Sequence, residues 1–319
     1  MGLDPHLRSM YVQQWNLSLE REVWNLGLRA SYIGTKAMKQ VMVRDLNQLY
    51  PSTIPFSTAR RMFPSLSTVQ YRDNGGTGLY NGLVLAAERK MRHGLHFQVS
   101  HTWAKNLTDK QSEGESGVTT QNAYDRRADW GDYGLTRRHR FVASSAWELP
   151  FGPRRGRATQ GLAKHLAGGW TVSIFGLLQT GSYFNPTFSG RDPANTGASG
   201  GRPDRIANGN LDNPTISRWF DTSAFSLPPV NAGRFGNSGV NILRGPGTRS
   251  LNMGFFKNLS ISERVGLQLE GTFTNILNHT NFANPDANLS AASAGMILAT
   301  QTIEGAGPRT TRLGIRLEF

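Results

Sequence analysis

The sequence predicts an all-β chain, part of a transmembrane antiparallel β-barrel with about nine membrane-spanning strands and long extracellular loops. Apolar and polar residues alternate with a period of two along nine segments, as in strands with one apolar and one polar face. Most segments have about ten residues, which at ~3.3 Å each and a tilt of ~40° cross about 25 Å, the apolar height of an outer membrane. Short and long connections alternate, as they do in outer-membrane barrels.

The first two segments show the alternation most clearly. In residues 11–19, aromatic residues and leucine dominate the odd positions, and polar residues dominate the even ones. The return segment, 24–32, has its apolar residues at even positions. We therefore expect a β-hairpin with a polar turn at 20–22.

Seven further segments repeat the pattern, at 79–89, 95–103, 141–149, 170–178, 251–255, 265–273 and 311–319. The expected short connections are 20–22, 90–94 and 262–264, with a medium basic one at 150–168. The expected long connections are 34–78, 104–136, 185–249 and 278–309, which are rich in Gly, Pro, Asn, Asp and Ser. Segments 65–73 and 296–303 also read as extended. Because counting either as a span would reverse the neighbouring loops, we expect both to extend extracellular hairpins.

Composition narrows the class of protein. The longest apolar runs have about five residues, against the ~18 that a membrane helix needs. The chain has no cysteine, which excludes disulfides and thiolate metal sites. Lys and Arg number 35 against 22 Asp and Glu, a net charge of +13, and nucleic acid would be one partner for such a chain. Because its aromatic residues belong to the membrane interfaces, no nucleic-acid binding is expected.

Aromatic residues concentrate at strand ends rather than along the strands. Amphipathic rings collect at both membrane interfaces, so this distribution predicts two girdles. With the short turns in the periplasm, the periplasmic girdle is Trp24, Trp147 and Trp170, and the outer girdle is Tyr32, Trp103 and Tyr183.

Charged residues avoid the apolar positions, because a lysine or arginine at the bilayer midplane costs about 2–4 kcal/mol. Lys257 is the exception, since it continues the face of Phe255; a bulge at Phe255–Phe256 would turn it to the other face. The polar positions are expected to face the barrel lumen, with these candidates: Arg29, Gln98, Glu148, Gln179, Gln268 and Glu270.

Strand parity bears on how much of a barrel is present. A chain of nine spans whose last strand ends in the periplasm begins outside, whereas bacterial barrels have an even number of strands. The first 15 residues contain no apolar signal-peptide region. Residues 1–319 are therefore expected to be the C-terminal portion of a larger barrel, with no plug domain and no signal peptide.

The last eight residues fit the pattern polar-x-Gly-x-x-hydrophobic-x-hydrophobic. This is the β-signal that the outer-membrane barrel assembly machinery reads. Its expected residues are Arg312, Gly314, Leu317 and Phe319.

No catalytic, cofactor or metal site is expected, and the chain is not expected to be an enzyme. His93 and His96 lie at a turn and on a strand and point differently, so a zinc site is not expected there. Residues 137–140 (Arg-Arg-His-Arg) leave three interpretations open. His139 and its neighbours contact lipopolysaccharide phosphates, or they form a generic basic rim, or the arginines pair with Asp125, Asp129 and Asp132.

Two further sets of charged residues lie in connections and are predicted to be solvated. Glu113 and Glu115 lie in a Gly- and Ser-rich loop. Part of the positive charge lies on the periplasmic side, in Arg154, Arg155, Arg157 and Lys164.

The chain resembles TonB-dependent receptors of the Oar-like type, through motifs spread over nearly its whole length. The opening strand Tyr11-Val-Gln-Gln-Trp-Asn-Leu-Ser-Leu-Glu20 is similar to the one that begins the C-terminal half of those barrels. The remaining matches are Arg137-Arg-His-Arg-Phe-Val142, Trp147-Glu-Leu-Pro-Phe-Gly152, Gly168-Gly-Trp170, Gly201-Arg-Pro-Asp204, Trp219-Phe-Asp-Thr-Ser-Ala-Phe225, Leu243-Arg-Gly-Pro-Gly247, Phe256-Lys-Asn258, Ile261-Ser-Glu-Arg264 and Asn278-His-Thr-Asn-Phe282.

The resemblance implies a 22-stranded transporter barrel in the cell outer membrane, plugged by another domain and energised by the TonB complex. Its implied partners are outer-membrane lipid and lipopolysaccharide, the plug domain, TonB and the barrel assembly machinery. It implies uptake of a bulky solute, an oligosaccharide, a peptide or a metal chelate. Two alternatives remain: a surface protein that binds or adheres through its long loops, and a soluble β-sandwich binding protein of the lectin type.

Overall fold

Nine long strands form one antiparallel sheet in the computed structural model, which describes residues 2–111, 120–151, 166–261, 265–302 and 304–319. Each strand pairs with its neighbours in sequence, so the sheet is a meander with β1 and β9 at its edges. The strands are β1 (Tyr11–Val23), β2 (Leu26–Asp45), β3 (Gln70–Arg92), β4 (Leu95–Thr108), β5 (His139–Glu148), β6 (Trp170–Gln179), β7 (Thr248–Ser260), β8 (Gly266–Thr274) and β9 (Thr310–Glu318).

The strand register carries the sequence alternation across the whole sheet. Tyr32 of β2 is opposite Leu83 of β3, which is opposite Trp103 of β4. One step along, Ser31 is opposite Val84. Because successive side chains point to opposite sides, these rows define an apolar face and a polar face. The nine-strand prediction is confirmed, although the strands reach further than the sequence pattern does.

The apolar face is exposed rather than packed against a second layer. Leu313 and Ile315 of β9 keep 77% and 76% of their surface accessible, and Leu19 of β1 keeps 68%. A β-sandwich would bury such side chains against a second sheet. The remaining sheets of the described residues contain two short strands each. The soluble β-sandwich alternative is therefore wrong, and hydrocarbon is the environment that suits this face.

The short turns differ from the sequence prediction. β1 and β2 are joined by Trp24 and Asn25, both with positive φ (51° and 64°), the geometry of a two-residue type I′ hairpin turn. Residues 20–22, predicted as the turn, are paired within β1 opposite residues 27–29. β3 and β4 are joined in the same way by His93 and Gly94. The predicted turn at 262–264 lies outside the described residues, as does most of the 150–168 connection.

The hairpin of β2 and β3 extends well beyond the apolar band. Residues 35–45 and 70–80 stay paired, with register shifts between Met38 and Met42, where Lys39 has a positive φ of 57°. The predicted loop 34–78 is therefore too long by some twenty residues. Of the extended segments, 70–73 is part of β3 and 65–69 is not a strand. The described part of segment 296–303, residues 296–302, contributes a single bridge, from Thr300 to Phe282.

The long connections fold together into a second body, called here the loop layer (described residues of 46–69, 109–138, 180–247 and 275–309). Its hydrophobic core is built from Phe184, Phe220, Ala224, Phe225 and Leu243. The rings of Phe184 and Phe220 meet edge to face, with centroids 5.8 Å apart. No helix of the described residues is long and apolar enough to cross a membrane.

Short elements order the loop layer. Its paired strands are Tyr183–Phe184 with Leu243–Arg244, Phe188–Ser189 with Gly200–Gly201, Asp204–Arg205 with Phe225–Ser226, and Asn210–Thr215 with Arg218–Phe220. Its 3₁₀ turns are Thr58–Arg60, Arg126–Asp129 and Thr222–Ala224.

Candidate functional site

The polar face of the sheet is the first candidate surface, because the register places all the predicted lumen residues on it. Gln98 is opposite Glu88 and Ser144, and Gln268 is opposite Asn258, whose Oδ1 accepts a 3.0 Å hydrogen bond from its amide. The other candidates occupy the same face: Arg29, Glu148, Gln179 and Glu270.

Gln179 links this polar face to the loop layer. Its Nε2 donates to Glu304 Oε2 at 2.6 Å and to Thr248 Oγ1 at 3.3 Å. Thr248 in turn donates to Gln301 Oε1 at 2.9 Å, and Arg140 lies 3.4 Å from Glu304 Oε1. We call this group the mouth latch. It holds the last long connection against the polar face at the long-loop end.

A polar groove lies beside β2–β4 at the same end. It has a volume of about 420 Å³. Thr35, Gln40, Tyr80 and Asn106 line it from the strands, and Tyr133 lines it from the loop layer. Hydroxyl and amide groups with two aromatic rings form a surface on which a polar solute can bind.

The predicted assembly signal lies on the edge strand β9. Arg312 and Gly314 occupy the polar face, and Leu317 the apolar one. A Cβ on Gly314 would lie 2.5 Å from Glu270 Oε1, so glycine makes room for the glutamate opposite it. The terminal Phe319 is almost fully exposed.

Five of the six predicted girdle residues lie toward one or the other end of the sheet, and Tyr183 is the exception. Trp147 and Trp170 lie near the short turns on the apolar face, and Tyr32 and Trp103 lie nearer the long loops. Trp24 lies in the first turn itself and is 90% exposed, so it reaches the short-turn end without belonging to a strand face.

Tyr183, predicted for the outer girdle, instead belongs to the loop layer. It is only 9% exposed. Arg138 Nε donates to its hydroxyl at 3.0 Å, and the guanidinium groups of Arg138 and Arg244 lie 5.7 and 5.6 Å from its ring centroid. Sequence could not separate an interface tyrosine from a loop tyrosine, because both follow the end of a strand.

Lys257 keeps the face that its sequence position indicates. The register of β7 runs unbroken through Phe255 and Phe256, so no bulge turns Lys257 to the other face. Lys257 is 5% exposed, and its ammonium group donates to the carbonyl oxygens of Leu166 (3.1 Å) and Gly168 and lies 5.3 Å from the Trp170 ring centroid. Carbonyl dipoles and the indole face thereby solvate a charge placed on the apolar side.

The Gly201-Arg-Pro-Asp204 motif is the polar centre of the loop layer. Arg202 Nη1 lies 2.6 Å from Asp129 Oδ1, and both side chains are buried. Arg202 Nε also donates to Ser238 O and Nη2 to Ala128 O. Burial raises the pKa of Asp129, while Arg202 acts to lower it. The sequence motif signals this network, but the pairing with Asp129 could not be foreseen.

A second pair stabilises the same segment. Arg234 donates to both oxygens of Asp204, at 2.7 and 2.8 Å, and Asn237 N donates to Asp204 Oδ1 at 3.0 Å. These hydrogen bonds, led by the one from Arg234, lower the pKa of Asp204.

The side chains of residues 137–140 have different surroundings, so no one of the three interpretations applies to all of them. Arg138 Nη2 pairs with Asp132 Oδ1 at 3.0 Å, as the Asp–Arg interpretation predicted, whereas Asp129 pairs with Arg202 and Asp125 caps a 3₁₀ turn. His139 turns to the apolar face beside His101. No group of three or more metal-ligating side chains occurs among the described residues. Glu113, Glu115, Arg154, Arg155, Arg157 and Lys164 lie outside those residues.

Comparison with known proteins agrees with this architecture. A family model described as outer membrane beta barrel domain matches residues 1–312. A comparison with curated proteins finds no match. Among solved structures, the outer membrane transporter YddB from Escherichia coli aligns with a TM-score of 0.52 at 9% identity, over 98% of this chain and 33% of that one. This likeness shows the shared fold.

Two further structures align over nearly the whole chain. The siderophore receptor PiuA from Acinetobacter baumannii gives a TM-score of 0.46 at 11% identity, over 96% of this chain and 28% of that one. The FrpB iron transporter from Neisseria meningitidis gives 0.47 at 10% identity, over 99% and 32%. The chain thus spans about a third of the length of these structures. It belongs to the outer-membrane β-barrel domain family and lies in the cell outer membrane.

Proposed function

We propose that this chain forms part of the wall and outer mouth of an Oar-like, TonB-dependent transporter that takes up a bulky solute. The observation that carries the proposal is the mouth latch, which ties the loop layer to the polar face of a membrane sheet. A wall with one polar face, covered at one end by a folded layer, is suited to admitting a solute under control. The proposed partners are a plug domain and the TonB complex.

The energetics of the mouth latch support a gating role. Arg140 and Glu304 keep 45% and 37% of their side-chain surface accessible, and a solvated ion pair of this kind contributes about 0–1 kcal/mol. This ion pair can open without disturbing the sheet. The core of the loop layer, in contrast, is buried.

The proposed solute class rests on the resemblance to Oar-like receptors, and the structurally similar YddB is described as an outer membrane transporter. For this chain we propose an oligosaccharide, a peptide or a metal chelate, large enough to need a wide barrel. The polar groove beside β2–β4 is the proposed first contact. The edge strand β9, with its terminal Phe319, is the proposed element that the barrel assembly machinery reads.

Uptake in living cells tests the proposal. Candidate solutes are supplied, labelled, to cells that carry the full-length protein, with and without TonB and with the proton-motive force collapsed. We expect accumulation that requires both TonB and the proton-motive force. Binding with no accumulation in cells that have TonB and an intact proton-motive force would contradict transport and support the surface-binding alternative. That alternative is favoured by one observation, the separate hydrophobic core of the loop layer.

A matched pair of variants tests the mouth latch itself. Arg140→Gln removes the ion pair to Glu304 and is expected to change the uptake rate by up to about fivefold, the factor that an exposed pair can supply. Arg218→Gln removes a comparably exposed pair with Asp221 in the loop layer and should leave uptake unchanged. Equal rates in the two variants would remove the latch from the mechanism.

A further inference from the structure

A basic groove lies on the apolar face of the sheet at its long-loop end, and we propose that it binds a phosphate group of an outer-leaflet glycolipid, lipopolysaccharide. The proposal concerns the outside of the barrel wall and does not depend on transport. It does depend on the long loops lying outside the cell, as they do in outer-membrane barrels.

Charge is distributed unequally between the two faces. In the described stretches of the nine long strands, up to the Met38–Thr77 pair, no aspartate or glutamate occupies the apolar face, whereas Glu20, Glu88 and Glu270 are among the glutamates on the polar face. At the long-loop end, Asp132 lies opposite Leu107 on the apolar side and is paired with Arg138. Lysine and arginine do occupy the apolar face, but only toward its ends. Those at the short-turn end are Arg21, Arg89 and Lys257, and those at the long-loop end are Lys36, Lys105 and Arg249.

Cations that form no ion pair suit the headgroup levels of a membrane. Lys36, Lys105 and Arg249 are exposed, and none forms an ion pair with a described residue. A rim in which such cations outnumber carboxylates, and which borders an apolar band, attracts an anionic lipid headgroup.

The groove itself joins the two kinds of chemistry that such a lipid needs. It has a volume of about 490 Å³ and includes Phe141 and Leu178 beside Arg249, His101 and His139. The lining contains no carboxylate. The ring of Phe141 and the branched carbons of Leu178 provide an apolar surface for an acyl chain. Arg249 offers a phosphate the planar fork that binds two of its oxygens at once.

The two histidines are held in a fixed stack. Their rings are 5.4 Å apart and 7° from parallel, and Trp103 stacks on His139 at 6.5 Å. His101 Nε2 and His139 Nδ1 lie 3.3 Å apart, so one donates to the other. The remaining nitrogens, His101 Nδ1 and His139 Nε2, have no hydrogen-bond partner among the described residues. A phosphate oxygen could accept from one of them at little cost in side-chain entropy, because the stack is already ordered.

The experiment measures lipid binding to the full-length protein extracted from outer membranes and delipidated in a non-ionic detergent. Bisphosphorylated lipid A is titrated and detected by native mass spectrometry, and lipid A with its phosphates removed and inorganic phosphate are titrated alongside. We expect affinity for the bisphosphorylated lipid that falls about tenfold in Arg249→Gln/His139→Gln, the loss that one charge-assisted hydrogen-bonded site can account for. Arg249→Lys should lose less.

Matched controls distinguish the loss of this site from a loss of charge elsewhere and from a loss of folding. Arg21→Gln removes the same charge from the same face at the opposite end and should bind as the wild type does. Each variant is used only if it shows heat-modifiable gel mobility, which reports a folded barrel. Equal lipid affinity in the double variant and the wild type would overturn the proposal. Equal binding of the phosphate-free lipid would overturn it too, and so would saturation by inorganic phosphate at the same concentration as lipid.

Discussion

Single residues fix the loop layer through polar contacts rather than through apolar area alone. Arg202 and Asp204, two residues apart, take their ion-pair partners from different segments, Asp129 and Arg234. A buried carboxylate needs such a partner, because leaving it unpaired costs several kcal/mol. Removing one member of a pair is therefore expected to loosen the segments that it joins.

The pKa of Asp204 makes this expectation pH-dependent. Its folded-state pKa is lowered, chiefly by the hydrogen bond from Arg234, relative to about 3.9 in an unfolded chain. The pair therefore stabilises the loop layer fully above about pH 5, and that stabilisation is lost as pH falls through the folded-state pKa. Hydrogen–deuterium exchange over residues 203–238, corrected for the intrinsic pH effect, should show protection falling between about pH 5 and pH 3.

Arg234→Gln provides the comparison for this titration. It should lower protection already at pH 7 and weaken the acid dependence, because the group that lowers the pKa is gone. Arg309→Gln, at an exposed arginine without an ion pair among the described residues, should behave as the wild type does. Identical acid profiles in Arg234→Gln and the wild type would show that Asp204 does not couple to the stability of the layer.

Strands are the elements that meet the membrane, and their two faces obey opposite rules. On β5, Ala143 occupies the apolar face opposite Val99 and Gly176, and its neighbour Ser144 occupies the polar face opposite Gln98 and Phe175. Both lie near the middle of a ten-residue strand, so they sit at a similar depth. They differ only in which environment they face.

These neighbours give a matched test of the membrane assignment. Ala143→Arg should lower the free energy of unfolding in lipid vesicles by about 2–4 kcal/mol, the cost of arginine on a lipid-facing position near the midplane. Ser144→Arg should cost much less, because water can reach the polar face. Urea titration followed by tryptophan fluorescence measures both. Equal costs would mean that the two faces share one environment.

At the scale of the whole molecule, two bodies with inverted burial meet along the strand ends. The sheet exposes its apolar residues, and the loop layer buries its own. Segment 180–247 closes tightly where it begins and ends at this junction: Gly245 N donates to Ser182 O at 2.8 Å, and a Cβ on Gly181 would lie 1.7 Å from the carbonyl oxygen of Gly245. This approach explains the glycines of the Leu243-Arg-Gly-Pro-Gly247 motif, since Gly247 likewise lies against Gln179 O.

Gly181→Ala is therefore expected to force apart the two ends of segment 180–247 and so to loosen this part of the loop layer without unfolding the sheet. Overpacking of this kind costs about 1–3 kcal/mol. Limited proteolysis on intact cells should cut residues 180–247 faster, while the heat-modifiable mobility of the barrel stays unchanged. Gly307→Ala is the matched control, because nothing lies within 4 Å of the added carbon. Unchanged proteolysis in Gly181→Ala would show that the junction does not hold the layer.

The sequence by itself determined the membrane sheet. Alternation with a period of two is a local property, because each residue's face follows from its neighbours along the chain. The lumen candidates therefore fall on one face, and Lys257 stays on the face that its position indicates. The position of the first turn, at Trp24–Asn25, could not be predicted from the sequence. Residues 20–22 are polar, but pairing with β2 keeps them in the strand.

Only the tertiary structure decided the loop layer and the sites that it completes. The partners of Arg202, Gln179 and Tyr183 come from segments 45 to 125 residues away, and no local pattern specifies such contacts. For the same reason, the sequence did not show that Tyr183 belongs to the loop layer and not to the outer girdle. Burial in the loops depends on which distant segments meet, whereas burial in the membrane depends only on which face a residue occupies.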